Sequence, residues 1–138
     1  MKEELISFET AKLAKEIGFD ENTNEFYTTA GNLTGVMYYD PTPNNRTIDT
    51  EWFSVLEKES QAYCTAPTQS LLQKWLRENH KIQIMIDPEY CNVTRDLSGY
   101  LLHVCGEYGI LSVDREYYKT YEEALEAGLL EALKLIKT

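Results

Sequence analysis

Cysteine is scarce in this sequence, and the few present follow no pattern. The three thiols, Cys64, Cys91 and Cys105, are an odd number at irregular spacing, which indicates no disulfide framework. They read as reduced thiols, so a cytoplasmic protein is expected. Long apolar runs are missing as well, and none approaches the ~20 residues of a membrane-spanning helix. The stretch from Met1 to Lys12 is charged and amphipathic where a secretory signal would carry an apolar segment. Without that route, the sequons at Asn32, Asn45 and Asn92 read as chance matches.

Positive charge is also in short supply. Lys and Arg number 13 against 23 Asp and Glu, for a formal net charge of −10. That balance opposes nonspecific attraction to nucleic acid or to an anionic membrane and favours solubility. Residues 1–25 carry −4, residues 26–113 carry −4 and residues 114–138 carry −2, so no acidic tail stands apart.

What is present suits a packed core. The length of 138 residues and a hydrophobic content of 43% fit one domain over 1–138 without disulfides or metal. Residues 8–17 predict a first helix, with Ser7 as N-cap, Gly18 as the stop and Thr10, Leu13, Ala14 and Ile17 on one side. Phe26–Thr28 and Leu33–Tyr39 suggest short strands around Ala30-Gly31-Asn32. Residues 40–50, with two prolines and two asparagines, predict a mobile loop. Trp52, Phe53, Val55 and Leu56 suggest a short helix or an extended arm.

The second half is clearer. Thr65-Ala66-Pro67-Thr68 precedes a helix reaching about Asn79, with Leu71, Leu72, Trp75 and Leu76 as its apolar face. Ile82, Ile84 and Ile86 alternate with Gln83 and Met85, a strand with one side buried. Asp87–Ser98 reads as a loop. Tyr100–Cys105 and Ile110–Tyr118 form a hairpin around Gly106-Glu107-Tyr108-Gly109. Thr120 and Glu123 make a capping box for a final helix over 121–136. The fold class expected is therefore α+β. An antiparallel sheet of at least three strands is packed by helices, with a helix–three strands–helix core over 63–138. The N-terminal helix and short strands are added to it.

Three segments resemble a family of small uncharacterised proteins of gut Bacteroidales genomes and their phage-like elements. They are Ile6-Ser7-Phe8-Glu9-Thr10-Ala11-Lys12-Leu13-Ala14-Lys15, then Ala66-Pro67-Thr68-Gln69-Ser70-Leu71-Leu72-Gln73-Lys74-Trp75-Leu76-Arg77-Glu78, then Tyr121-Glu122-Glu123-Ala124-Leu125-Glu126-Ala127-Gly128-Leu129. The resemblance implies a mobile-element origin and no particular activity. The element order of the second half also resembles that of double-stranded-RNA-binding domains. Such domains carry lysines at the start of their last helix, where this chain has Glu122, Glu123 and Glu126. Carboxylates there would repel a phosphate backbone.

Candidate chemistry is thin. His103 and Cys105 share one face of a strand, but zinc would need two further ligands, and no CxxC or HxxxH spacing supplies them from Cys64, Cys91 or His80. A half-buried histidine beside a small thiol is the plainer reading, so no metal and no cofactor are expected. A thiol nucleophile needs nearby positive charge to lower its pKa, and none is evident around the three cysteines. Asp87, Glu89, Asp96 and Asp114 offer carboxylates without a catalytic motif, so no catalytic residue is assigned. Lys74, Arg77 and Lys81 form the one basic stripe, which a helix C-terminus already favours on a solvated face.

Apolar excess is the stronger signal. Leu130 points away from the main stripe of the last helix, and Leu135 widens it. Ten tyrosines, among them Tyr117 and Tyr118, exceed what a small core holds and suit an interface. Gly128 permits either close approach to the sheet or merely a weak spot in the helix. The expected function is a non-enzymatic accessory role through protein–protein contact, with a protein partner or a second copy. Leu130, Leu135, Tyr117, Tyr118, Lys74, Arg77 and Lys81 are the candidate surface, and nucleic acid and membrane are disfavoured. One alternative is an acidic nucleic-acid decoy against a host DNA-binding enzyme. Another is a small enzyme or ligand binder using the 87–98 loop.

Overall fold

Ser7 and Gly18 set the limits of the first helix. The computed structural model describes residues 3–35, 44–46 and 62–138, and its helix α1 spans Phe8–Ile17. Ser7 Oγ accepts from the Thr10 N–H at 3.3 Å. Gly18 turns the chain at φ +107 and donates its N–H to the carbonyls of Ala14 and Lys15. A β-carbon disfavours that left-handed turn, which is why the helix stops at glycine.

The architecture is α+β, in two compact units, Met1–Thr68 and Gln69–Thr138. In the first unit β1 (Glu25–Thr28), β2 (Leu33–Gly35) and β3 (Ala62–Thr65) form an antiparallel sheet in the order β2-β1-β3. Ile6, Ala11, Ala14, Phe19, Phe26 and Cys64 are all buried in this unit. The Tyr27 hydroxyl donates to the Ile6 carbonyl at 2.6 Å, and the Ile6 N–H donates to the Pro67 carbonyl at 3.1 Å. Asn45 is buried, and its amide bonds at both ends. Its Nδ2 donates to the Phe19 carbonyl at 2.7 Å, and its Oδ1 accepts from the Thr65 N–H at 2.9 Å. The rest of the expected 40–50 loop lies outside the described residues, as do Tyr38, Tyr39 and Trp52–Leu56.

The second unit begins at helix α2 (Gln69–His80) and continues through β4 (Gln83–Tyr90), β5 (Leu97–Gly106), β6 (Gly109–Tyr118) and helix α3 (Tyr121–Lys137). The strands are antiparallel in the order β4-β5-β6. Thr120 Oγ accepts from the Glu123 N–H at 3.1 Å and caps α3. Gln69, itself buried, donates from Nε2 to the Glu122 carbonyl at 3.0 Å, tying the starts of the two helices together.

Helix α3 packs on the sheet through Gly128. A β-carbon at that position would stand 2.5 Å from Leu102 Cδ1 and 2.6 Å from Ile84 Cγ2. Of the two roles open to this glycine, close approach is the one realised. Ile84, Leu102 and Val104 are buried with Leu125, Leu129, Ala132 and Leu133 from the helix. One face of the sheet is thereby sealed.

Half of the expected loop over Asp87–Ser98 is strand. β4 continues through Asp87, Pro88 and Glu89, which lie opposite Leu101, Tyr100 and Gly99 of β5, leaving residues 91–96 as the connection. Asp87-Pro88 reads as a turn signal, but β4 is an edge strand, and an edge tolerates a residue without an N–H. The ligand-binding alternative loses the long loop it relied on.

Candidate functional site

Strand alternation fixes what the other face of the second sheet carries. Since Ile84, Leu102 and Val104 point to the helices, Met85 and Asp87 on β4 and Leu101, His103 and Cys105 on β5 share the opposite side. From β6, Val113 lies across from His103 and Ile110 across from Cys105, so both belong to that side too. Met85 and Val113 are each 49% exposed and Ile110 is 63% exposed. Leu101, His103 and Cys105 are half-buried. The outer face thus sets Met85, Leu101, Cys105, Ile110 and Val113 beside the polar Gln83, Asp87 and His103.

Polar contacts on this face are few. His103 Nδ1 lies 3.4 Å from Asp87 Oδ2. Cys105 Sγ lies 3.7 Å from Met85 Sδ. Of the acidic residues named from the sequence, Asp87 and Glu89 lie on one edge strand, Asp96 in the connecting turn and Asp114 on the other edge strand. Among the described residues no three His, Cys, Asp or Glu side chains stand close enough to hold a metal.

The seven residues proposed from the sequence are spread over α2 and its exit, β6 and α3. Tyr118 and Leu130 meet in a groove of about 300 Å³ between β6 and α3, together with Ala127 and Lys134. Tyr117 is 57% exposed, and Leu135 is half-buried on α3. Lys74, Arg77 and Lys81 are exposed on and just after α2. Lys74 pairs with Glu78 at 4.0 Å. Lys81 takes the left-handed conformation, φ 57, in which the chain leaves the helix.

The cysteines diverge sharply. Burial pushes the Cys64 thiol up to about 12, against a smaller opposing pull from Lys15 and then Lys12. Cys91 goes the other way. Hydrogen bonds from the Thr94 side chain, then from the backbone of Thr94 and Val93, draw its thiol down to about 7. This corrects the expectation that no cysteine has a lowered pKa, because turn hydrogen bonds here replace the positive charge that was sought. The signal available was Thr94 three residues after Cys91, a spacing that suits a turn with a side-chain hydrogen bond.

Sequence reasoning also missed Met85, Ile110 and Val113. The alternation of Ile82, Ile84 and Ile86 places Met85 on the other side, but only the hairpin register aligns it with Val113. Compared with family models, curated proteins and solved structures, the chain matches none.

Proposed function

We propose that this protein works by protein–protein contact rather than catalysis. Its docking surface is the outer face of the β4-β5-β6 sheet, and its first partner is a second copy of the chain. The observation that supports this is the exposure of Met85, Val113 and Ile110 on one face, Met85 and Val113 flanking His103, of a sheet whose other face is covered by helix. Exposed apolar side chains flanked by polar ones are what the centre and rim of an interface need.

Size sets the strength. Three strands about 4.8 Å apart and about nine residues long present roughly 400 Å². Standard interfaces bury about 800 Å² per partner, so self-association through this face is weak and reversible. Nucleic acid is disfavoured as a partner. Glu122 and Glu123 are exposed at the start of α3, where carboxylates complement the helix dipole and repel phosphate. The phage-like origin implied by the resemblance suits a small accessory protein of this kind.

Sedimentation of the full chain over a concentration series tests the reading. A mass rising towards twice the monomer supports it, and a mass fixed at the monomer throughout overturns it.

A further inference from the structure

His103 lies on β5, the central strand of the second sheet. On its outer face Met85 of β4 and Val113 of β6 lie directly across the ladder from it, one on each side. Both neighbours are 49% exposed, and the imidazole keeps 27% of its own surface open. Water therefore reaches the ring in a single copy. A second copy laid over Met85 and Val113 closes that access, because the ring lies between them.

One carboxylate answers the ring. Asp87 Oδ2 stands 3.4 Å from His103 Nδ1, and strand alternation places Asp87 on this face, two residues after Met85. Alternation adds two further titratable groups to the face, Glu89 on β4 and Cys105 on β5. Across from the ring on β6 is Val113, which carries no charge. Among the described residues, Asp87 is the carboxylate within ion-pair distance of His103.

From this geometry we infer that self-association through the outer face is switched by the proton on His103, tightening as pH falls. The inference rests on the docking reading and adds a regulation to the same surface. An imidazole changes its charge between about pH 5 and pH 8. With the ring neutral, docking takes the Asp87 carboxylate out of water unpaired, which is costly. With the ring protonated, the two groups form a neutral pair 3.4 Å apart, and the same burial costs less.

The sign follows by linkage. Docked copies hold the His103 proton more tightly than free copies. The gain from docking is therefore full while the ring is protonated and is lost as pH rises through its titration. Each copy takes one proton from solvent, and no covalent bond between heavy atoms changes.

Sedimentation of the reduced full chain at about pH 8 and about pH 6, in about 0.15 M salt, tests the switch. We expect the dimer dissociation constant to fall by about tenfold towards the lower pH, since each copy contributes one proton. His103→Gln should remove most of that change. His80→Gln, which removes the other histidine, should keep it. Cys91→Ser, which removes the thiol that titrates at about 7, should keep it too. Asp87→Asn should reverse the sign, because an imidazolium without its carboxylate is itself an unpaired charge on the face. Unchanged circular dichroism at both pH values shows that a variant keeps the fold. Dimers equally tight at both pH values, or a response that survives in His103→Gln, would overturn the switch and leave the docking face standing. Monomer at both pH values in every protein would overturn the docking reading and the switch together.

Discussion

Gly128 of α3 meets Leu102 of β5 with no room for a β-carbon between them, since one built there would stand 2.5 Å from Leu102 Cδ1. Leu102 is 2% exposed and packs with the equally close Ile84, so both side chains would have to shift. An alanine gains about 1 kcal/mol of helix propensity over glycine, but overpacking a sealed core costs about 1–3 kcal/mol. We expect Gly128→Ala to lower the urea midpoint of the second unit, and Leu102→Val in that background to restore part of it. A raised midpoint in the single variant would show that the helix can lift from the sheet freely.

Asn45 offers a test in the first unit. Asn45→Ala removes the side-chain acceptor of the Thr65 N–H and the donor that the Phe19 carbonyl accepts from. An orphaned buried N–H costs about 1–3 kcal/mol, so we expect a loss of at least about 1 kcal/mol. Hydrogen exchange should show lost protection at the Thr65 amide in Asn45→Ala and retained protection in Asn45→Asp, which keeps an acceptor. Equal protection in all three proteins would mean that this bond does not hold the strand.

The thiols should separate by pH. The Cys91 pKa of about 7 lies below the ordinary thiol value, so its thiolate forms as pH rises through about 7. Cys64, at about 12, stays protonated throughout. Iodoacetamide labelling mapped by peptide mass should therefore show Cys91 reacting at neutral pH while Cys64 does not react. Removing the largest cause, with Thr94→Val, should move the Cys91 inflection upward. An unmoved inflection would assign the lowering to something other than Thr94.

Salt distinguishes the interaction reading from the decoy alternative. Two copies carrying −10 each repel, and added salt screens that repulsion over a Debye length of about 8 Å at physiological strength. Self-association through an apolar face should strengthen as salt is added. A decoy that binds a basic protein groove should instead weaken steeply. Light scattering across a salt series reads the sign directly.

Much of the fold was legible because local chemistry and tertiary packing agree. Ser7, Gly18, Thr120 and Glu123 mark helix ends by hydrogen bonds that require only neighbouring residues. The alternation at Ile82 and Ile84 marks a buried face in the same way. Asp87-Pro88 misled because turn propensity is local, while pairing with Leu101 and Tyr100 comes from elsewhere in the chain. The outer face was less legible than the core. Its members lie on three strands and share a surface only through the registers of β4, β5 and β6. Leu130 was identified as off the main stripe, but its place in the groove beside Tyr118 depends on how α3 lies against β6. Asn45 was read as part of a loop because asparagine favours turns, and nothing local says that its amide spans Phe19 and Thr65.

The most direct test of the docking face is native mass spectrometry of the reduced protein alongside Val113→Asp. Val113 is 49% exposed and lies across the ladder from His103, and an unchanged circular dichroism spectrum in the variant would show that the fold is kept. We expect the unaltered protein to show dimer that grows with concentration, and Val113→Asp to remain monomeric. A dimer undiminished by Val113→Asp would contradict assembly through this face, and monomer in both proteins would contradict self-association altogether.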